Sequence, residues 1–521
     1  MSSSVEVRTT PPQAASGAPE LVKGLGLTSA TTLVMGSMIG SGIFIVSAEI
    51  AREVNSPALL IGAWLVTGFM TIVGALSYGE LAAMMPRAGG QYVYLRESLG
   101  PLWGFLYGWT LFLVIQTGTV AAVGVAFGKF LGHFFPSVAA THWLVGPFHV
   151  GVAQPFGIAL GGMDMGLNTQ NLAGILIVIF LTWLNVFGIK TGAAVQNVFT
   201  IAKVSALAAL VLAGVFVARN AQAAAANFTD FWRLNLPHSA GGADATGHLL
   251  GPFVGVLTIL AVAQVGSLFS ADAWNNVTFT AGEVKDPKRN LPLSLAIGTG
   301  VVILLYVAAN FIFLAHLPFD GNPAGTDVVA RGIKYAASDR VGTAVLQQMF
   351  GSSGAGLMAI AILISTFGCC NGLILSGARV YYAMAKDGLF FKSTGKVHPK
   401  YLTPKNALIV QGIWTCVLCL SGTYNDLLNY VIFAVLVFYI LTIAGLFVLR
   451  RTQPQAERPY RAIGYPVLPA IYIVMALFID IVLLRYKPQY TWPGLIIVLL
   501  GIPVYFIWSR RSAAVSQEGR A

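Results

Sequence analysis

Gly36-Ser-Met-Ile-Gly-Ser-Gly-Ile-Phe44 lies in the middle of an apolar stretch that runs from residue 28 to residue 51. A helix of about 20 apolar residues crosses a bilayer, so the stretch is long enough to span one. Its centre is nevertheless the wrong composition for an uninterrupted helix, with glycines at 36, 40 and 42 and serines at 37 and 41. In hydrocarbon, backbone that leaves the helix survives only around a cavity or a ligand, because every N–H and C=O needs a partner. Glycine is the residue that allows such unwinding and lets backbone approach a bound molecule. The competing reading is close helix packing through small residues spaced four apart.

Along the whole chain twelve such apolar stretches occur, at 28–51, 57–85, 99–131, 168–187, 190–218, 249–283, 292–317, 354–385, 405–422, 426–449, 466–485 and 491–508. The sixth carries a second interruption, Gly266-Ser-Leu-Phe-Ser-Ala-Asp-Ala273. Spans 1 to 5 (28–218) and 6 to 10 (249–449) form two groups of five, and an odd count makes the second group enter from the opposite side. Interrupted segments at corresponding places of two inverted halves point to a transporter binding site. Spans 11 and 12 (466–508) stand outside the repeat. The fold class is therefore an all-α membrane protein of 12 transmembrane helices, with a five-plus-five inverted repeat and helices 1 and 6 unwound.

Composition agrees, for 56% of the 521 residues are hydrophobic and 10% charged, against roughly 25% charged in soluble chains. The net charge of +11 is not gathered in a nucleic-acid-binding domain. Most of the 31 Lys and Arg residues fall in short connections on one side, such as Glu283-Val-Lys-Asp-Pro-Lys-Arg-Asn-Leu-Pro292. By the positive-inside rule that side is the cytoplasm, which places both termini there, in a cell (inner) membrane. Residues 1–27, rich in Ser, Thr, Pro and Ala, read as a disordered tail and 509–521 as a second tail. The outer loops at 132–167, 219–248 and 318–353 have room for short helices. Cys369, Cys370, Cys416 and Cys419 all lie in spans 8 and 9 as buried small apolar residues, and the histidines lack ligand spacing. No metal, cofactor or catalytic constellation is expected, and the chain is not read as an enzyme.

The two interruptions define the chemistry. A half-helix starting after a break presents free N–H groups and a positive dipole end, which suit a carboxylate. A half ending before it presents free C=O groups, which suit an ammonium. Side by side, two breaks hold a zwitterion without a charged side chain.

Taken together, Gly36–Phe44, Gly74-Ala-Leu-Ser-Tyr-Gly-Glu-Leu81, Pro86-Arg-Ala-Gly-Gly-Gln-Tyr92 and Phe269-Ser-Ala-Asp-Ala-Trp-Asn275 resemble the amino acid–polyamine–organocation superfamily. Within it, the 283–292 segment is most similar to the L-type amino acid transporters and their bacterial relatives. The resemblance runs from about residue 25 to about 465 and implies a LeuT-like fold with alternating access. It implies that Ser41 and Gly42 contact a substrate carboxylate, and that Met38, Phe269, Ser270 and Asp272 offer carbonyls to its amino group. Asn276 then faces the substrate side chain. This chain departs from many relatives in having Asp272-Ala273 where they have Gly-Gly. Animal L-type members are tied to a glycoprotein by a cysteine in the loop after span 3; residues 132–167 contain none, so no disulfide-linked heavy subunit is expected.

Charges inside the spans divide by depth. Glu80 and Arg379, near helix ends, read as structural, and Asp480 as structural or interfacial. Asp272 either biases the cavity toward cationic groups or caps the following half-helix. Phe269 beside a break reads as a gate. Lys203 lies thirteen residues after Lys190, about 20 Å deep at 1.5 Å per residue, where a charge needs a partner. The resemblance implies that its ammonium takes the place of sodium in sodium-coupled relatives and ties the span 1 break to span 8 around Ser365 and Thr366. The reading is a secondary amino acid transporter, sodium-independent, working as an exchanger or with protons. A polyamine or amine antiporter is the alternative within the family, and an ion channel or a membrane receptor the alternatives outside it.

Overall fold

The computed structural model describes residues 21–151, 163–217, 220–234, 243–421 and 424–518. The expected N-terminal tail lies outside them up to residue 20. The first span is two helices, α1 (Leu27–Met38) and α2 (Gly42–Val54), followed by α3 (Pro57–Met84) and the short α4 (Gln91–Leu99). Ser56 caps α3 by accepting from the Leu59 N–H at 3.4 Å, with Pro57 at the first helical position, where a missing N–H costs nothing. Next, α5 (Pro101–Thr110) runs through a π turn at Leu111–Ile115 into α6 (Gln116–Leu131). The freed Phe112 carbonyl there accepts from the Thr117 hydroxyl at 2.6 Å.

The loop after α6 departs from expectation. Its ends form an antiparallel hairpin of β1 (Trp143–Val150) and β2 (Met163–Asn168), pairing Trp143 with Asn168 and His149 with Asp164. Aromatic and β-branched residues interrupted by Gly146, Pro147 and Gly166 favour strand over helix. Asn168 then caps α7 (Thr169–Val186), accepting from Asn171 N–H at 2.8 Å. After it come α8 (Ile189–Phe216), α9 (Ala221–Thr229), α10 (Ala243–Ser270), the single turn α11 (Asn276–Phe279), α12 (Pro287–His316) and α13 (Val328–Arg331). The remaining elements are α14 (Val341–Lys386), which bends at Gly351, α15 (Lys405–Leu418), α16 (Tyr424–Thr452), α17 (Val467–Tyr486) and α18 (Pro488–Glu518). The short helices expected in the second and third outer loops are α9 and α13.

Among the described residues, ten helical segments are long and apolar enough to cross a membrane. The apolar part of α10, Val254–Ser270, and the 14-residue α15 are shorter. Among the described residues the protein is thus an all-α membrane protein apart from one hairpin. Burial divides the segments: 89% of the first span's central window is buried but only 28% of the Ile189–Phe216 window. The interrupted helix is therefore one of the two most buried of these spans, together with Pro101–Leu131 at 89%. Leu212, Leu304, Leu357 and Val474 point outward from other helices, as a lipid-facing surface requires.

Candidate functional site

The first interruption lies where the glycines place it. Helix α1 ends at Met38, Ile39 turns to extended backbone (φ −76°, ψ 95°), and α2 restarts at Gly42. The carbonyls released by this turn are collected by two helices. Lys203 Nζ on α8 lies 2.5 Å from Gly36 O, 2.7 Å from Ile39 O and 3.3 Å from Ser365 O. Ser365 Oγ on α14 lies 3.1 Å from Ile39 O and 2.9 Å from Gly40 O. One turn further along α14, Cys369 Sγ lies 3.0 Å from Ser37 O. No hydrogen bond joins Thr366 to the lysine among the described residues; its hydroxyl donates to Ile362 O of its own helix at 2.9 Å.

The second interruption is later and its far side shorter than the sequence suggests. Helix α10 holds to Ser270, Asp272 N–H donates to Phe269 O at 3.2 Å, and Ala273 takes a left-handed φ of 64°. Beyond it lie only α11, four residues, and one 3₁₀ turn at Ala281–Glu283. The two breaks meet at Gly42 and Ser270. A Cβ on Gly42 would lie 2.2 Å from Ser270 Oγ and 3.0 Å from its Cα, so the contact requires glycine. Tyr306 Oη on α12 lies 3.1 Å from both Met38 O and Ser270 O, joining the carbonyl ends of the two broken helices.

On the other side of the second break is a cavity of about 10 Å³, room for a single water. Its polar wall includes Gln91, Gln116, Asp272, Asn276 and Tyr439. Tyr439 Oη donates to Asp272 Oδ1 at 2.5 Å, and Asn275 Nδ2 to Gln91 Oε1 at 2.8 Å. Asp272 is 8% exposed and forms no ion pair among the described residues. Asn276 Nδ2 is buried with no hydrogen-bond partner among them. Phe269 is buried at the last turn of α10, next to Ser270. Sequence reasoning missed Tyr306 and Tyr439. Each sits in an apolar span with no local signal, and only the fold shows what it touches.

The match to known proteins covers almost all of the chain: residues 25–507 fit the model of the amino acid permease family. The chain belongs to the amino acid permease family. The human large neutral amino acids transporter small subunit 2 is 30% identical to it over 95% of this chain and 82% of that protein. The serine/threonine exchanger SteT of Bacillus subtilis (strain 168) is 27% identical over 95% of this chain and 98% of that one. The human b(0,+)-type amino acid transporter 1 is 28% identical over 94% and 88%. The permease thus resembles the L-type transporters and their bacterial relatives along most of the length of each.

Glu80 and Arg379, placed near helix ends by sequence, each sit in an ion pair whose carboxylate is buried. Glu80, fully buried, accepts from Arg450 at 2.9 and 2.6 Å and from the Ala462 N–H at 2.7 Å, with Arg458 Nε 3.3 Å away. Arg379 on α14 meets Glu283 in a two-pronged pair at 2.7 and 3.1 Å, both side chains buried. Asp480 on α17 is buried as well, and neither carboxylate oxygen has a partner among the described residues.

Proposed function

We propose that the chain is a secondary amino acid transporter that works by alternating access across a cell membrane, without sodium. The twelve spans, the inverted five-plus-five repeat and the cytoplasmic termini are part of this reading, supported by the paired breaks and by the basic connections. The observation that carries it is the meeting of the two broken helices at Gly42 and Ser270, with Tyr306 across their carbonyl ends. The N–H groups at the start of α2, around Ser41 and Gly42, receive the substrate carboxylate at the positive end of that helix. The carbonyls of Met38, Phe269, Ser270 and Asp272 receive its ammonium, and Asn276 meets its side chain. Phe269 closes over the bound molecule. Lys203, with Ser365, fills an oxygen cage suited to a metal cation with its own ammonium, which supports independence from sodium. Thr366 stabilises α14 from within. For an amino acid to enter, the 10 Å³ cavity must widen, so α10–α11 and α16 must part.

Counterflow in proteoliposomes tests the reading. Internal unlabelled amino acid should drive accumulation of external label, in sodium-free medium; a channel would dissipate the gradient and a receptor would move nothing. A second reading, transport of a cationic amino acid or amine, is favoured by Asp272, a buried carboxylate in the cavity wall with a phenol beside it and no cation paired to it among the described residues. Competition by lysine, putrescine, serine and leucine separates the two: strong competition by the first pair selects the second reading.

A further inference from the structure

A large cavity lies away from the transport path, on the lipid-facing side. Helices α7 and α15 splay to leave a groove of about 730 Å³. Ile175 and Ile179 wall it on one side and Ile409, Ile413 and Val417 on the other. Ile179, Ile413 and Val417 are exposed, so the groove opens to hydrocarbon.

Its two ends differ in chemistry. At one end Thr403 Oγ1 donates to Val186 O at 2.9 Å, fastening the start of α15 to the end of α7. Lys405, the first residue of α15, lines the groove here with His398, Trp183 and Tyr401. The Nδ1 of His398 accepts from the N–H groups of Lys400 and Tyr401, both at 3.2 Å, which leaves its proton on Nε2 as a donor. The surrounding chain is basic: 388–425 holds Lys392, Lys396, Lys400 and Lys405 and no acid, and 165–229 holds no acid either. One helical turn deeper than Val186, about 6 Å toward the membrane centre, Thr182 lines the groove. This residue is 8% exposed, and its hydroxyl has no hydrogen-bond partner among the described residues. Indole and phenol rings at one level, a cation beside them and a lone donor one turn below match the order of a phospholipid's phosphate, ester and acyl chain.

We propose that this groove is a specific site for one anionic phospholipid of the leaflet on the basic side of the protein. Lys405 and the His398 Nε2–H hold the phosphate, Thr182 donates to an ester carbonyl, and the isoleucines receive an acyl chain. A groove filled by a helix of another chain would not need the basic mouth, and a free phosphate would not need the isoleucines.

Native mass spectrometry of the full chain, titrated with phosphatidylglycerol or phosphatidylcholine of identical acyl chains, tests the site. One phosphatidylglycerol should be retained in preference to phosphatidylcholine, and Lys405→Gln should cut that preference roughly fivefold. Thr182→Val should weaken both lipids alike, because both carry the ester. Inorganic phosphate should displace neither. Equal retention of the two lipids, a preference unchanged in Lys405→Gln, displacement by phosphate, or a second protein chain shielding Cys416 in the groove would each overturn the proposal.

Discussion

The ammonium of Lys203 lies 2.7 Å from the carbonyl oxygen of Ile39, the residue at which the first span leaves its helix. A carbonyl turned out of a helix inside a membrane has lost its own N–H partner, and a charged donor replaces it better than a neutral one. The same ammonium reaches Ser365 O, so it joins the break to α14. Lys203→Ala should insert and stay monodisperse, since Ser365 Oγ still reaches Ile39 O and Gly40 O. Its exchange rate should fall at least about tenfold, the worth of one charge-assisted bond. Uptake measured against external pH in wild type and mutant decides the second role: pH dependence that survives the mutation removes Lys203 as a proton carrier.

Gly42 tests the contact between the breaks. Gly42→Ala places a methyl against Ser270, whose Oγ, Cβ and Cα all lie within 3.0 Å of the new atom. Transport should be abolished while the protein still folds. Adding Ser270→Gly should restore part of the rate, because it removes two of the three clashing atoms. A double mutant no better than Gly42→Ala would show that the defect is not this contact.

How far the sequence reached depends on whether a residue's role is local. The span 1 break was legible because an apolar run that stays helical has little use for three glycines and two serines within seven residues. Lys203 was legible because depth alone makes a charge conspicuous. Glu80 and Arg379 read as structural from their places near helix ends, and each has an ion pair. The hairpin was not legible, since strands of a few residues in a Gly- and Pro-bearing loop carry little periodicity. Nor were Tyr306 and Tyr439, whose partners Met38 and Asp272 are 268 and 167 residues away in the chain. Thr366 joins Ser365 only through the family resemblance, and its hydroxyl bonds Ile362 O of its own helix, a partner that no sequence pattern announces.

Tyr439 and Asp272 form a test of substrate choice. Tyr439→Phe removes the donor to a buried carboxylate, a bond worth about 1.5–3 kcal/mol, and leaves the ring in place against Trp274, 5.2 Å away. If the substrate is cationic, Asp272→Asn should reduce its apparent affinity about tenfold or more, while Tyr439→Phe costs less because the carboxylate remains. Under the neutral amino acid reading, both variants should change affinity by similar small factors. The competition constants for lysine and serine in each variant are the measurement.

Phe269 separates closing from binding. A lid that covers the substrate contributes to the rate at which the closed complex forms, whereas a wall of the site contributes to affinity. Phe269→Ala should slow exchange more than it weakens equilibrium binding measured by scintillation proximity. Lost binding with unchanged turnover of the residual complex would make the residue a contact and end the gating role.

The pair of Arg379 and Glu283 fastens the end of the bundle that lies beyond the second break. Glu283 closes the 3₁₀ turn that comes after α11, and its backbone carbonyl also accepts from the N–H groups of Gly24 and Leu25 at 2.9 and 3.0 Å. Through one residue, then, the chain before α1, the segment after the second break and α14 are tied together. Arg379→Ala would leave a carboxylate that is 0% exposed without its cation, a change that costs about 3–5 kcal/mol when the remaining charge stays buried. Replacing both partners, with Arg379→Met and Glu283→Gln, removes that penalty while still cutting the tie. The single mutant should therefore melt well below wild type, and the double mutant should recover most of the loss. The two should part company in transport: if the tie must close in each cycle, the double mutant stays slow despite its stability. A double mutant that is both stable and fully active would show that the pair serves folding alone.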